Sequence, residues 1–276
     1  MTPSNPTEKA LPSVALVQTT STDDYRANLE YGLAMVAQAA ARGAQVVAFP
    51  EVFLFIGGRQ KKLELAQSLD GEAVDQFRQA AQQSNIAVLM GSFHEKIPDN
   101  PERVYNTSVW IDAQGEIVAT YRKMKLFDVE LPQITIRESD TVKPGDMLPP
   151  VFDTPVGRVG LTICFDLRYP ELFQHLRKQG AEVIFVPSNF TAHTGAAHWN
   201  LLLRARAVEN QVYIAAPAQY GKHNEKFTSY GHTLLANPWG NVTAQAADQA
   251  GLILGEIDHQ LLRRVRQELP MGVPSF

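Results

Sequence analysis

The chain predicts an α/β fold, and three observations carry that expectation. Short apolar runs recur along its 276 residues, with amphipathic helical patterns between them. No linker, internal repeat or low-complexity segment interrupts the alternation. Several runs end directly in residues able to do chemistry: Pro50-Glu51, Arg122-Lys123 and Cys164. In α/β folds, reacting groups gather beyond strand ends of this kind.

Val14-Ala15-Leu16-Val17 is the first strand. Residues 25–41 follow as a helix, because Leu29, Leu33, Val36 and Ala40 share one face at helical spacing. Ala44-Gln45-Val46-Val47-Ala48-Phe49 is the next strand and stops at Pro50. Residues 57–62 read as an irregular loop, 73–83 as a helix and 86–90 as a strand. Residues 104–111 and 116–120 pair across the hairpin-like turn Asp112-Ala113-Gln114-Gly115. Residues 127–146 read as a second long irregular loop, the kind of segment in which substrate contacts tend to sit. Val159-Gly160-Leu161-Thr162-Ile163 is a buried strand that runs into Cys164, and Pro170 opens a helix over 170–179. Strands at 182–186, 212–216, 232–235 and 252–257 and a helix at 196–210 complete the set. The elements form one domain over 11–270, with terminal extensions at 1–10 and 271–276.

Composition narrows the class. Hydrophobic residues make up 45% and charged residues 20%, as in ordinary globular proteins. A net charge of −4 without a basic tract argues against nucleic acid as a partner. No run reaches the ~20 apolar residues of a membrane span. Residues 1–9 are polar and lack the apolar stretch of a secretory signal. A lone cysteine excludes an internal disulfide, which points to the reducing cytoplasm. No Gly-x-Ser-x-Gly elbow, Walker-type loop or Gly-x-Gly-x-x-Gly occurs. His193 and His198 miss the i,i+4 spacing of a helical metal pair, so neither a metal nor a cofactor is expected.

Taken alone, Cys164 reads as a small buried hydrophobe, Glu51 as a loop carboxylate and Lys123 as part of a solvated basic turn. Together they suit one reaction. A thiol is mostly protonated at neutral pH, and a neighbouring carboxylate takes its proton as attack begins and passes it to a departing amine. An ammonium opposite the nucleophile, and turn N–H groups, meet the oxyanion of the tetrahedral intermediate. Glu, Lys and Cys therefore suit hydrolysis of a C–N bond through a thioester.

Pro50-Glu51, Tyr121-Arg122-Lys123 and the run from Cys164 to Glu171 resemble the three signature blocks of the nitrilase superfamily, the carbon–nitrogen hydrolases. Pro187-Ser188-Asn189-Phe190, Gly195-Ala196-Ala197-His198-Trp199 and the segments at 203–210, 230–232 and 237–240 follow the family order, so that the likeness runs from about Ser13 to about Leu269. It implies a four-layer α-β-β-α sandwich. It also implies Cys164 as nucleophile, Glu51 as general base, Lys123 and the Phe165 backbone N–H as oxyanion donors, and a supporting glutamate. Glu138 fits that last position, with Glu130 as competitor. Arg168, Asn189, Phe190, Thr191 and Lys125 are the candidate substrate contacts, joined by Arg59, His223 and Lys226 as possible holders of a carboxylate.

Within the superfamily, Thr20-Ser21-Thr22, the segments at 91–95 and 128–132, and His223-Asn224-Glu225-Lys226 look like the branch of deaminated glutathione amidases. That implies release of ammonia from a small ω-amide, with deaminated glutathione ahead of α-ketoglutaramate. Another amidase or carbamoylase, and a catalytically silent binding protein, are the alternatives. Two positions depart from the pattern: Lys125 replaces a usual histidine, and Asn200 a usual glutamate. The family further implies a homodimer or higher homo-oligomer packed largely through helices around Arg204 to Asn210 and after Cys164, where Tyr169, Leu172, Phe173 and Leu176 make an apolar stripe. A core-facing stripe is the other reading of those residues.

Overall fold

The computed structural model describes residues 10–131, 134–225 and 227–272. β1 (Ser13–Gln18) and α1 (Tyr25–Ala41) lead to β2 (Val46–Ala48), α2 (Arg59–Glu64) and α3 (Glu72–Ser84). β3 (Ala87–Leu89), β4 (Phe93–Lys96), β5 (Val104–Ile111) and β6 (Ile117–Arg122) follow. A hairpin of β7 (Asp128–Leu131) and β8 (Ile134–Arg137) precedes β9 (Val151–Thr154) and β10 (Gly157–Leu161). A 3-10 turn, Cys164–Arg168, joins β10 to α4 (Pro170–Lys178), β11 (Val183–Phe185), α5 (Ala192–Asn210) and β12 (Tyr213–Ala216). A second hairpin, β13 (Tyr220–Asn224) with β14 (Phe227–Tyr230), is followed by β15 (Leu234–Ala236), β16 (Val242–Gln245), β17 (Gly251–Glu256) and α6 (His259–Glu268).

The long strands form two sheets. One runs β17-β1-β2-β3-β5-β4 with β6 also on β5, and the other runs β16-β15-β12-β11-β10-β9. The centres of both are parallel, β1-β2-β3 and β10-β11-β12, and their flanks antiparallel. Parallel neighbours need crossovers, which α1 to α3 supply in one half and α4 and α5 in the other.

Alternation along the strands shows how the layers stack. Val14 and Leu16 of β1, Val46 and Ala48 of β2, and Ala87 and Leu89 of β3 pack with Val159, Leu161, Val183 and Phe185 of the second sheet. Their neighbours Ala15, Val17, Val47 and Val88 pack instead with Leu29, Val36, Val74 and Phe77 of α1 and α3. Successive residues point to opposite faces and both faces are covered, so these strands read as unbroken apolar runs. On the far side Phe173, Leu176, Trp199 and Leu203 of α4 and α5 cover the second sheet. The order of layers is helix, sheet, sheet, helix.

Several expectations change. The loop expected at 57–62 contains α2, and the loop expected at 127–146 contains the β7–β8 hairpin and a 3-10 turn at Glu138–Asp140. The helix expected from 196 begins at Ala192, where the Thr191 hydroxyl accepts from Thr194 N–H at 3.3 Å as its cap, so His198 lies inside the helix. α6 was not foreseen, although Asp258 caps it by accepting from the N–H groups of Gln260 and Leu261. Leu172, Phe173 and Leu176 are buried within their own chain, so the core-facing reading of that stripe holds. No helix among the described residues is long and apolar enough to cross a membrane.

Candidate active site

Glu51 sits in the turn that leaves β2. The turn folds tightly over the connection between β3 and β4: a Cβ on Gly91 would lie 1.9 Å from the Phe49 carbonyl oxygen and 2.3 Å from that of Pro50, so only glycine fits there. Val52 adopts φ 48°, a conformation that a β-branched residue resists, and its N–H donates to Ser92 Oγ at 3.0 Å. Gln219 Nε2 donates to the Glu51 carbonyl at 3.0 Å. These contacts bury the carboxylate, which is 4% exposed.

Lys123 leaves the end of β6 and is 1% exposed. Its N–H donates to Asn106 O at 2.9 Å. Its Nζ donates to Glu51 Oε1 and to Glu138 Oε2, each at 2.8 Å. Burial disfavours the ammonium, but attraction by Glu138 and Glu51 outweighs it, so the lysine pKa stands well above its ordinary value. Two of the three ammonium hydrogens are thus engaged, which leaves one to point elsewhere.

Cys164 follows β10 at a backbone elbow. Its φ is 44°, and its N–H donates to Pro187 O at 2.9 Å. A side chain at positive φ is strained, and the strain is held by the strand ends on either side. Burial first, then the charge of Glu51, pushes the thiol pKa well above its ordinary value, while Lys123 pulls the other way. The thiol therefore rests protonated beside a carboxylate placed to receive the proton. The N–H of Phe165 belongs to the first turn of the 3-10 segment, where donors lack partners within the helix.

The structure separates the two glutamates that compete for the supporting position. Glu138 accepts from Lys123, from Phe127 N–H at 2.7 Å and from Asn106 Nδ2 at 3.3 Å. Glu130 lies on β7 with an exposed side chain paired to Arg137.

A narrow slot of about 10 Å³ opens over Cys164, lined by Phe127, Phe165, Arg168, Asn189, Phe190, Thr191 and Thr194. Phe165, Arg168, Asn189, Phe190 and Thr191, all expected from the sequence, meet here. The Arg168 guanidinium lies over the rings of Phe165 and Phe190 and contacts His198 Nδ1 at 3.3 Å. Among the described residues it has no carboxylate within 4 Å, and burial lowers its pKa. Lys125 is not brought to the slot: its ammonium lies over the Tyr169 ring, 4.5 Å from the centroid. Asn200 also lies outside the slot's lining, on α5. Lys226 falls outside the described residues.

Sequence reasoning missed Asn106. It is 2% exposed on β5, and its Nδ2 donates to Glu51 Oε1 at 2.9 Å as well as to Glu138. The signal was the polar run Asn106-Thr107-Ser108 inside an otherwise apolar strand. Buried polar groups on a core strand call for partners, and two of these are carboxylates. Missed too was Asp166, which accepts from Ile163 N–H at 2.9 Å and Lys125 N–H at 3.1 Å.

A four-layer sandwich with a buried carboxylate, ammonium and thiol at its strand ends describes a hydrolase. The carbon-nitrogen hydrolase family matches residues 13–267, and the chain belongs to that family. It is 43% identical over 274 residues to a deaminated glutathione amidase of Mus musculus, covering 98% of this chain and 85% of the relative. The NitFhit protein of C. elegans superposes with a TM-score of 0.90 at 40% identity, covering 94% of this chain. This chain spans 63% of that one. Nit3 of Saccharomyces cerevisiae, a member of branch 10 of the nitrilase superfamily, superposes with a TM-score of 0.85 at 29% identity, covering 94% of each chain.

Proposed function

We propose that this protein is an amidase that cleaves deaminated glutathione, N-(4-oxoglutaryl)-cysteinylglycine, through a thioester on Cys164. The observation that carries the reading is Lys123, buried between Glu51 and Glu138 beside the chain's single thiol. The likeness to the murine amidase supports the choice of substrate.

In this mechanism Sγ of Cys164 attacks the amide carbonyl as its proton passes to Glu51. The oxyanion is met by the Phe165 N–H and the remaining Lys123 hydrogen, each donor contributing roughly 3–4 kcal/mol. Collapse breaks the C–N bond while Glu51 returns the proton to the departing nitrogen. Water then attacks the thioester, with Glu51 again taking a proton, and releases the acid and the thiol. Glu138 and Asn106 hold Lys123 and Glu51 in register. Arg168 receives the carboxylate of the 4-oxoglutaryl group, and Asn189, Phe190 and Thr191 shape the slot around it.

Deaminated glutathione is a secondary amide, so its leaving group is the amine of cysteinylglycine. The ammonia expected from the sequence belongs to the primary amide α-ketoglutaramate. A working thiol suits a reducing compartment such as the cytoplasm. Leu201 and Val208 of α5, together with Trp239, are exposed apolar side chains that a homodimer would cover.

Incubation with deaminated glutathione is expected to release cysteinylglycine and to leave an acyl adduct on Cys164 visible by intact-protein mass spectrometry. Cys164→Ala is expected to fold normally and show neither. Turnover by that variant rules out the thioester.

A further inference from the structure

We infer that the cleft beside the nucleophile's slot is the site for the leaving peptide, with Lys62 holding its terminal carboxylate. This rests on the reading of a cysteinylglycine amide as substrate. The slot over Cys164 is narrow, and once it holds the 4-oxoglutaryl group it has no room for a dipeptide as well. A much larger cleft, about 750 Å³, lies on the other side of Asn189, which lines both cavities. That volume lies within the range of small-molecule sites. Phe55, Ile56 and Phe227 give it an apolar wall.

Its charges decide what it can hold. Asp23, in the wall, is engaged by Lys61 Nζ at 3.3 Å. His223 uses both ring nitrogens, one on Ser21 O and one on Ser229 Oγ, each at 2.7 Å. Ser229 in turn contacts Asn189, so this histidine braces the wall that the two cavities share. His94 is kept neutral by burial and by the nearby charges of Lys62 and Lys123. Lys62 is the basic side chain in the cleft's lining. Its Nζ donates to Thr141 Oγ1 at 2.6 Å, and among the described residues no carboxylate lies within 4 Å of it. An ammonium has three hydrogens to give, so it retains donors for a ligand. Burial lowers its pKa, a cost that a bound carboxylate offsets.

Three of the four branch-like sequence segments meet at this cleft. His94 comes from the segment at 91–95, and His223 and Asn224 from that at 223–226; Ser21, from the third, anchors His223. The catalytic trio lies elsewhere. Chemistry and leaving-group choice are thus carried by different residues.

The test compares wild type, Lys62→Ala and Lys62→Arg on three substrates: deaminated glutathione, its C-terminal glycinamide, and α-ketoglutaramate. For deaminated glutathione, KM is expected to rise roughly tenfold to hundredfold in Lys62→Ala, the scale of a charge-assisted hydrogen bond, with partial recovery in Lys62→Arg. The glycinamide is expected to be as poor a substrate for wild type as the acid is for Lys62→Ala, and to be indifferent to the substitution. α-Ketoglutaramate, whose leaving group has no carboxylate, is expected to respond to neither variant. Equal effects on all three substrates, or on kcat alone, overturn the assignment while leaving the amidase reading intact. Wild type that cleaves α-ketoglutaramate but not deaminated glutathione defeats the substrate reading, and the peptide site with it.

Discussion

The Tyr121 hydroxyl donates to Asp166 Oδ2 at 2.8 Å, and this buried bond ties the strand ending at Lys123 to the turn beginning at Cys164. Lys123 and Cys164 follow strands of different sheets, so their separation depends on contacts that cross between them. Asp166 is well placed for this: it also accepts from Ile163 N–H, just before the nucleophile, and from Lys125 N–H, just after the lysine.

Tyr121→Phe removes that link without altering the ring. Stability is expected to fall by about 1–3 kcal/mol in urea denaturation, since a buried acceptor loses a partner. Because Lys123 and Cys164 lose their common reference, kcat is expected to drop more than KM rises. Unchanged kcat in a destabilised but folded variant shows that the bond is structural only.

Asp166 gives a pH signature. Burial pushes its pKa up to about 6, against the opposing effect of its hydrogen bonds and Lys123. An unfolded aspartate loses its proton near 3.9. Between these values the folded protein keeps a proton that the unfolded chain has lost, so this group's contribution to stability falls as pH rises from about 4 to about 6 and is level above. The full difference amounts to roughly 3 kcal/mol. Asp166→Asn cannot titrate, so its deficit relative to wild type is expected to shrink across that interval. Denaturation curves at several pH values check this, and a deficit that widens with pH refutes it.

In the proposed mechanism Glu51 takes the thiol proton, and its charge also raises the Cys164 pKa. Glu51→Gln is expected to cut amide turnover by about 10²–10⁴, the range for losing a general base. Yet iodoacetamide should alkylate its Cys164 faster at pH 7, because Lys123 then pulls the thiol pKa down unopposed. Slower alkylation than wild type contradicts this electrostatic picture. Lys123→Ala serves the same steps, so the double variant is expected to lose less than the product of the single losses.

Leu201, Val208 and Trp239 are 68%, 42% and 56% exposed, and Gly240 packs Trp239's turn against Val208. If they form a dimer face, wild type should sediment as a dimer and Leu201→Glu with Val208→Glu as a monomer. A wild-type monomer at micromolar concentration with full activity removes the proposal.

Local patterns in the sequence determined the helix-and-strand alternation and most strand positions. Runs such as Val46-Val47-Ala48 must be buried on both faces, and Pro170 can open a helix but not lie within one. The residues following β2, β6 and β10 could be matched to a reaction from their chemistry alone. Short-range signals failed where long-range contacts decide. The β7–β8 hairpin and α2 lie in segments of weak apolar periodicity, and the stripe on α4 could face a partner or the core until Phe173 and Leu176 were found packed on the second sheet. Only the tertiary structure shows that Glu138 and not Glu130 reaches Lys123, because both are carboxylates on one hairpin-and-turn segment. The same holds for Asn106 and Lys62: each is defined by neighbours from distant strands and loops, and no sequence spacing records which buried charges they must face.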